Sequence, residues 1–73
     1  VKRNLKTNSK SIVELDLKGK TEYLYTDNGY GESAILLAHL NPGVKIIAHI
    51  SDDYRREIAI VSARDFVNNI EFN

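Results

Sequence analysis

The chain has 73 residues, ten basic and ten acidic side chains, 42% apolar residues, and no cysteine, methionine or tryptophan. This length makes one small domain that buries roughly 60% of its unfolded surface and leaves little room for an enclosed active site. The absence of cysteine excludes a disulfide framework, a thiol nucleophile and a thiolate-bound metal, and it fits a reducing compartment, so a cytoplasmic location is expected. No run of about 18 apolar residues is present to span a membrane, and the opening Val1-Lys2-Arg3-Asn4-Leu5 lacks the apolar stretch of a signal peptide. A start on Val1 rather than methionine gives the expectation of a fragment of a longer protein.

Net neutrality conceals an asymmetry. The first twenty residues hold Lys2, Arg3, Lys6, Lys10, Lys18 and Lys20 against Glu14 and Asp16, a balance of +4, and the remaining 53 carry −4. No aromatic residue interleaves these charges, so they read as a solvated tail and not as a nucleic-acid patch, and no nucleic-acid partner is expected. Residues 1–11 show no sustained period and are read as a flexible basic arm, with a single domain over 12–73. From Ile12 to Leu17 the apolar Val13, Leu15 and Leu17 alternate with Glu14 and Asp16, the pattern of a strand with one wet face. Through the turn at Lys18-Gly19-Lys20 it would join the sheet as an antiparallel edge.

Thr21-Glu22-Tyr23-Leu24-Tyr25-Thr26 is rich in β-branched and aromatic residues and predicts the first central strand. Its two strand tyrosines share a face, where they could cover the core or make a partner surface. The period then changes. Ala34-Ile35-Leu36-Leu37-Ala38-His39-Leu40 is apolar on nearly every side and predicts a buried helix over about 32–41, with Glu32 or Ser33 near its free amides and Pro42-Gly43 forbidding its continuation. Val44-Lys45-Ile46-Ile47-Ala48-His49-Ile50 is nearly continuous in β-branched residues, as in a parallel strand buried on both faces. Ser51-Asp52-Asp53 then offers capping groups to a helix over about 52–67, with an apolar stripe of Tyr54, Ile58, Val61 and Phe66 beside Ala59 and Ser62. Asn68-Asn69 ends it, and Ile70-Glu71-Phe72 begins a third strand. Strand, helix, strand, helix, strand implies an α/β fold: a small Rossmann-like half with a three-stranded parallel core and helices at about 32–41 and 52–67.

The segment with most chemical content is Asp27-Asn28-Gly29-Tyr30-Gly31-Glu32-Ser33, between the first strand and the first helix. Glycines in such a turn let a nucleotide approach the backbone closely, and an acid at the strand end orients a hydroxylated or cationic ligand. Equally, Gly29 and Gly31 could merely supply positive φ in a tight turn. The run from Leu15 through Tyr23-Leu24-Tyr25-Thr26-Asp27-Asn28-Gly29-Tyr30-Gly31, continuing through Leu36-Leu37-Ala38-His39-Leu40-Asn41-Pro42-Gly43 to Glu57-Ile58-Ala59, resembles the cofactor-binding half of a class I S-adenosylmethionine-dependent methyltransferase. That family opens on a strand, Asp-x-Gly-x-Gly-x-Gly, then a helix. The resemblance implies that Asp27, Gly29 and Gly31 line the methionine and ribose side of S-adenosylmethionine, with Tyr30 at the variable position between the glycines. Ser33 stands at the third glycine of the pattern. Ile50 stands where the family's second strand ends in the acid that binds the ribose hydroxyls, and Asp52 lies two residues on as the remaining candidate. Substrate positions on later strands are missing, so methyl transfer by this chain alone is not expected, and no catalytic residue is assigned. The alternative is a non-catalytic interaction or oligomerisation domain on the same scaffold, which pairs with other domains of a parent protein or with itself.

Other candidates have plainer readings. His39 and His49 lack ligand spacing, and no metal site is expected. Asp52-Asp53 suits a helix N-terminus as well as it suits Mg²⁺. Arg55-Arg56 could grip a phosphate, but beside Glu57 and two aspartates the pair reads as a solvated face. Tyr30, on the loop, has the strongest claim of the four tyrosines to a ligand contact.

Overall fold

Alternation of short β-branched runs with two helix-forming runs produces five elements. The computed structural model describes residues 17–73 and contains β1 (Glu22–Thr26), α1 (Glu32–Leu40), β2 (Lys45–His49), α2 (Asp53–Arg64) and β3 (Ile70–Phe72). The strands form an open, wholly parallel sheet in the order β1-β2-β3, with Leu24 beside Ile47 and Ile47 beside Glu71. This is the α/β half expected from the alternation of elements. The basic arm over 1–11 and nearly all of the proposed edge strand over 12–17 lie outside the described residues. Leu17 itself is buried in the core.

Side chains alternate across a strand, so one face of this sheet carries Tyr23, Tyr25, Ile46, Ala48, Ile70 and Phe72. Leu37 and Ala38 of α1 pack with Leu17, Val44 and Ile46, and Tyr23, Tyr25, Val67 and Ile70 close around that cluster. Ala59 of α2 meets the start of α1 beside Phe72. Both helices therefore cover the same face. The opposite face presents Leu24, Ile47, Thr26 and His49 with a Lys45–Glu71 ion pair at 3.0 Å, and Leu24 is 75% exposed among the described residues.

This one-sidedness corrects two expectations. β2 is central in the ladder but buried on one face only, since Ile46 and Ala48 are covered while Lys45 and His49 are exposed. The helix α1 is not buried all round: Ala34, Ile35, Leu37 and Ala38 face the sheet, and Leu36 and Leu40 face outward. It stops at Leu40 because Asn41 takes over the last turn, its N–H donating to Ala38 O at 3.2 Å and its side-chain amide to Leu37 O at 2.9 Å.

The second helix differs more. It ends at Arg64 and not near 67, because Phe66 and Val67 both donate to Ala63 O at 3.0 Å, which tightens the last turn and redirects the chain into β3. Its buried positions are Ala59 and Ala63, flanked by the half-buried Ile60 and Val67. The larger Tyr54, Val61 and Phe66 are exposed. Phe66 instead stacks on His39, ring centroids 5.2 Å apart.

The chain between the elements is tied by one side chain. Asn69 Nδ2 donates to Ala38 O (3.0 Å), Asn41 O (2.9 Å) and Val44 O (2.8 Å), joining the end of α1, its following turn and the entrance of β2 to the residue before β3.

Candidate functional site

At the carboxyl end of β1 the ladder runs one residue past the strand, Asp27 N–H donating to His49 O at 2.9 Å. That fixes Asp27 beneath the turn, 6% exposed. A buried carboxylate needs donors, and the turn supplies them: Oδ1 accepts from Gly29 N–H at 2.8 Å and Oδ2 from Ala34 N–H at 3.2 Å. Asp27 thus closes the turn and caps the first turn of α1 from seven residues away. Glu32 complements it, its Oε1 accepting from Tyr30 N–H at 2.8 Å.

The two glycines act differently. Gly31 sits at the N-cap of α1 with φ +88°, and a Cβ there would lie 2.6 Å from Ala59 Cβ and 3.3 Å from the Phe72 ring. Conformation and contact both demand glycine. Gly29 has no positive φ, and a Cβ would meet only the Glu32 and Asp27 side chains, at 3.0 and 3.4 Å. A side chain at Gly29 would therefore crowd the two carboxylates that brace the turn.

Across the turn stands the N-terminus of α2. Asp52 has extended backbone and accepts from Arg55 N–H through Oδ2 at 2.8 Å, the ordinary N-cap bond. Asp53 pairs with Arg56, whose Nη1 also donates to Ile50 O at 2.7 Å. Ile50 is buried at 1% exposure and donates its own N–H to Asn73 O at 3.0 Å. Arg55 alone reaches over: Nη1 donates to Asn28 O at 2.9 Å, and the guanidinium lies 5.6 Å from the centroid of Tyr30.

Comparison with protein-family models, with curated proteins and with solved structures finds no match.

The structure therefore places Asp27, Gly29, Tyr30 and Gly31 on one turn and Asp52 on the facing helix end, linked to that turn through Arg55. Both acids are engaged by backbone amides: Asp27 is buried with both oxygens bonded, whereas the exposed Asp52 has Oδ1 outside its capping bond. No group of three or more metal-ligating side chains occurs among the described residues. His49 Nδ1 lies 3.2 Å from Asn73 Oδ1 on the exposed face of the sheet. A groove of about 350 Å³ between α2 and β3 is lined by Ile60, Ala63, Arg64, Val67, Ile70 and Phe72, none of them a residue of the turn.

Arg55, expected on a solvated face with Arg56, instead reaches the turn at Asn28. A signal was present: an arginine in the first turn of a helix opposes the helix dipole, so two at Arg55-Arg56 call for partners elsewhere.

Proposed function

We propose that this chain forms the ligand-binding part of a methyltransferase-like α/β domain, that it takes an adenosine-type cofactor such as S-adenosylmethionine at the Asp27–Gly31 turn, and that it does not transfer a methyl group alone. The observation that carries the reading is the position of that turn. It follows the first strand of a parallel sheet, at the carboxyl ends where such sheets bind nucleosides, and the buried Asp27 holds its backbone in place. Gly31 is buried against Ala59 and Phe72 and shapes the turn from within, so the ligand meets the turn at 28–30, where Asn28 and Tyr30 are exposed and the Tyr30 ring offers an aromatic surface. The residues fit the ligand unevenly. An apolar side chain buried at Ile50 accepts no ribose hydroxyl, so that contact falls to Asp52, through the oxygen that does not cap α2.

In this reading the chain's own residues bind and orient. Asp27 keeps the turn in one conformation, the exposed Asn28 and Tyr30 meet the ligand, and Asp52 receives a hydroxyl. The chemistry of the cofactor is methyl donation, and no group in this chain is assigned to it.

A non-catalytic interaction domain, assembled with other domains or with a second copy, is favoured by one observation: Leu24 and Ile47 lie side by side on the sheet face that neither helix covers. An amide chemical-shift titration of the 73-residue chain with S-adenosylhomocysteine separates the two. Saturable shifts confined to 27–33 and 50–55 support the cofactor reading. No shift at millimolar ligand overturns it and leaves the interaction domain, for which sedimentation across a concentration series must then show self-association.

A further inference from the structure

We propose that Arg55 reads an anionic group on the ligand of this turn, so that the site selects nucleosides carrying a carboxylate or phosphate over neutral ones; this rests on the nucleoside reading given above. The two adjacent arginines of α2 are used in opposite ways. Arg56 is spent within the fold, on Ile50 O at 2.7 Å and on the Asp53 carboxylate. Arg55 has no carboxylate within ion-pair distance among the described residues. Its one side-chain hydrogen bond goes to a neutral acceptor, Asn28 O at 2.9 Å.

Placement gives that charge a purpose. The guanidinium spans from α2 to the glycine turn and rests over the face of Tyr30, 5.6 Å from the ring centroid. Ring and carbonyl hold the guanidinium beside the turn, while most of its five N–H donors remain available. A planar guanidinium is the group that recognises a carboxylate or phosphate through paired hydrogen bonds. The neighbouring carboxylates do not cancel it: Asp27 is turned inward onto Gly29 and Ala34, Glu32 holds Tyr30 N–H, and Asp52 caps the backbone of Arg55 itself. A merely structural latch would need only the bond to Asn28, which a neutral side chain can also make. Arg55→Gln therefore tests the charge while keeping a donor.

The experiment measures affinity of the 73-residue chain for three probes by amide shift titration: S-adenosylhomocysteine for a carboxylate, adenosine diphosphate for phosphates, and adenosine for neither. The unaltered chain is expected to bind one anionic probe about tenfold tighter than adenosine, the scale of one partly exposed charged hydrogen bond. Which probe gains identifies the anion. In Arg55→Gln that advantage falls to near unity while adenosine affinity stays within about twofold, and Arg55→Lys keeps an intermediate advantage because it retains the charge without the fork. Equal binding of all three probes by the unaltered chain overturns the proposal and leaves the nucleoside reading standing. So does a uniform loss across probes in Arg55→Gln, which marks Arg55 as a structural latch. Binding of none of the three overturns both. The amide spectrum of each variant without ligand reports whether it is folded.

Discussion

Gly31 gives the sharpest quantitative test of how this fold is held. Replacing it by alanine brings two separable costs. A left-handed backbone at φ +88° disfavours any Cβ by about 1–2 kcal/mol. The new methyl would lie 2.6 Å from Ala59 Cβ, far inside contact distance, and forcing α1 and α2 apart in a packed interface costs about 1–3 kcal/mol. Together these give about 2–5 kcal/mol, against a whole-domain stability of order 0.05–0.15 kcal/mol per residue, so Gly31→Ala sits near the limit of folding. The second mutation that isolates the contact is Ala59→Gly. Alone it weakens α2 by about 1 kcal/mol through helix propensity, but in the double variant it removes the Cβ–Cβ clash and leaves the φ cost, that propensity loss and the tighter contact with the Phe72 ring at 3.3 Å. Urea unfolding followed by circular dichroism on all four proteins is expected to show a favourable coupling of about 1–3 kcal/mol, well above the ~0.5 kcal/mol scatter of independent sites. Additive effects would refute the close approach of the two helices. A Gly31→Ala cost below about 1 kcal/mol would refute the left-handed turn as well.

Three further outcomes are expected. Asn69→Ala removes the donor to three carbonyls and is expected to cost about 2–3 kcal/mol in denaturant unfolding; Asn69→Asp, which turns oxygen toward Ala38 O, Asn41 O and Val44 O, is expected to cost more than the alanine change, and the reverse order would refute the role of the amide. Asp27→Asn keeps the shape but can accept only one of its two amide bonds well, so a loss of about 1–2 kcal/mol is expected, with faster hydrogen exchange at Gly29 or Ala34. The hydrogen bond from Lys45 to Glu71, reinforced by the charges of Glu71 and Glu22 against a small desolvation, raises the Lys45 ammonium above its ordinary 10.5. A raised folded value means that the contribution is complete below 10.5 and disappears as pH climbs through the higher folded value. The stability gap between the unaltered chain and Glu71→Gln, measured from pH 9 upward, is therefore expected to be constant at first and then to close.

Much of the architecture was legible because it depends on local chemistry. The change of period after Thr26, the glycine and proline punctuation at 41–43, and the carboxylate of Asp52 before a helix each act within a few residues. What stayed hidden depends on partners far along the chain. The buried face of α2 was misassigned because large apolar side chains suggest burial, whereas the backbone of Gly31 comes so close that only Ala59 fits there. Tyr54, Val61 and Phe66 are too large for that interface and turn outward. The one-sided cover of β2 also escaped a reading of its own sequence, since Ile47 looks as buried as Ile46 until the helices are placed. At the turn, the residues Asp27, Gly29, Tyr30 and Gly31 were visible as a unit, but the double duty of the Asp27 carboxylate was not, because Ala34 lies on the next element. Arg55 was read with its helical neighbours and finds its acceptor 27 residues away.

β3 is only three residues long, yet it is fastened at both ends. Before it, Asn69 grips three carbonyls and accepts from Ile46 N–H at 2.8 Å; after it, Asn73 donates to Ala48 O at 2.9 Å and accepts from Ile50 N–H at 3.0 Å. A strand bolted in this way does not peel off residue by residue. Undocking it releases the end of α1, the entrance of β2 and the loop before α2 in one event, so the amides of Ile46 and Ile50 exchange with solvent at a common opening free energy. The short strand thereby serves as the clasp that makes two βαβ units melt as one.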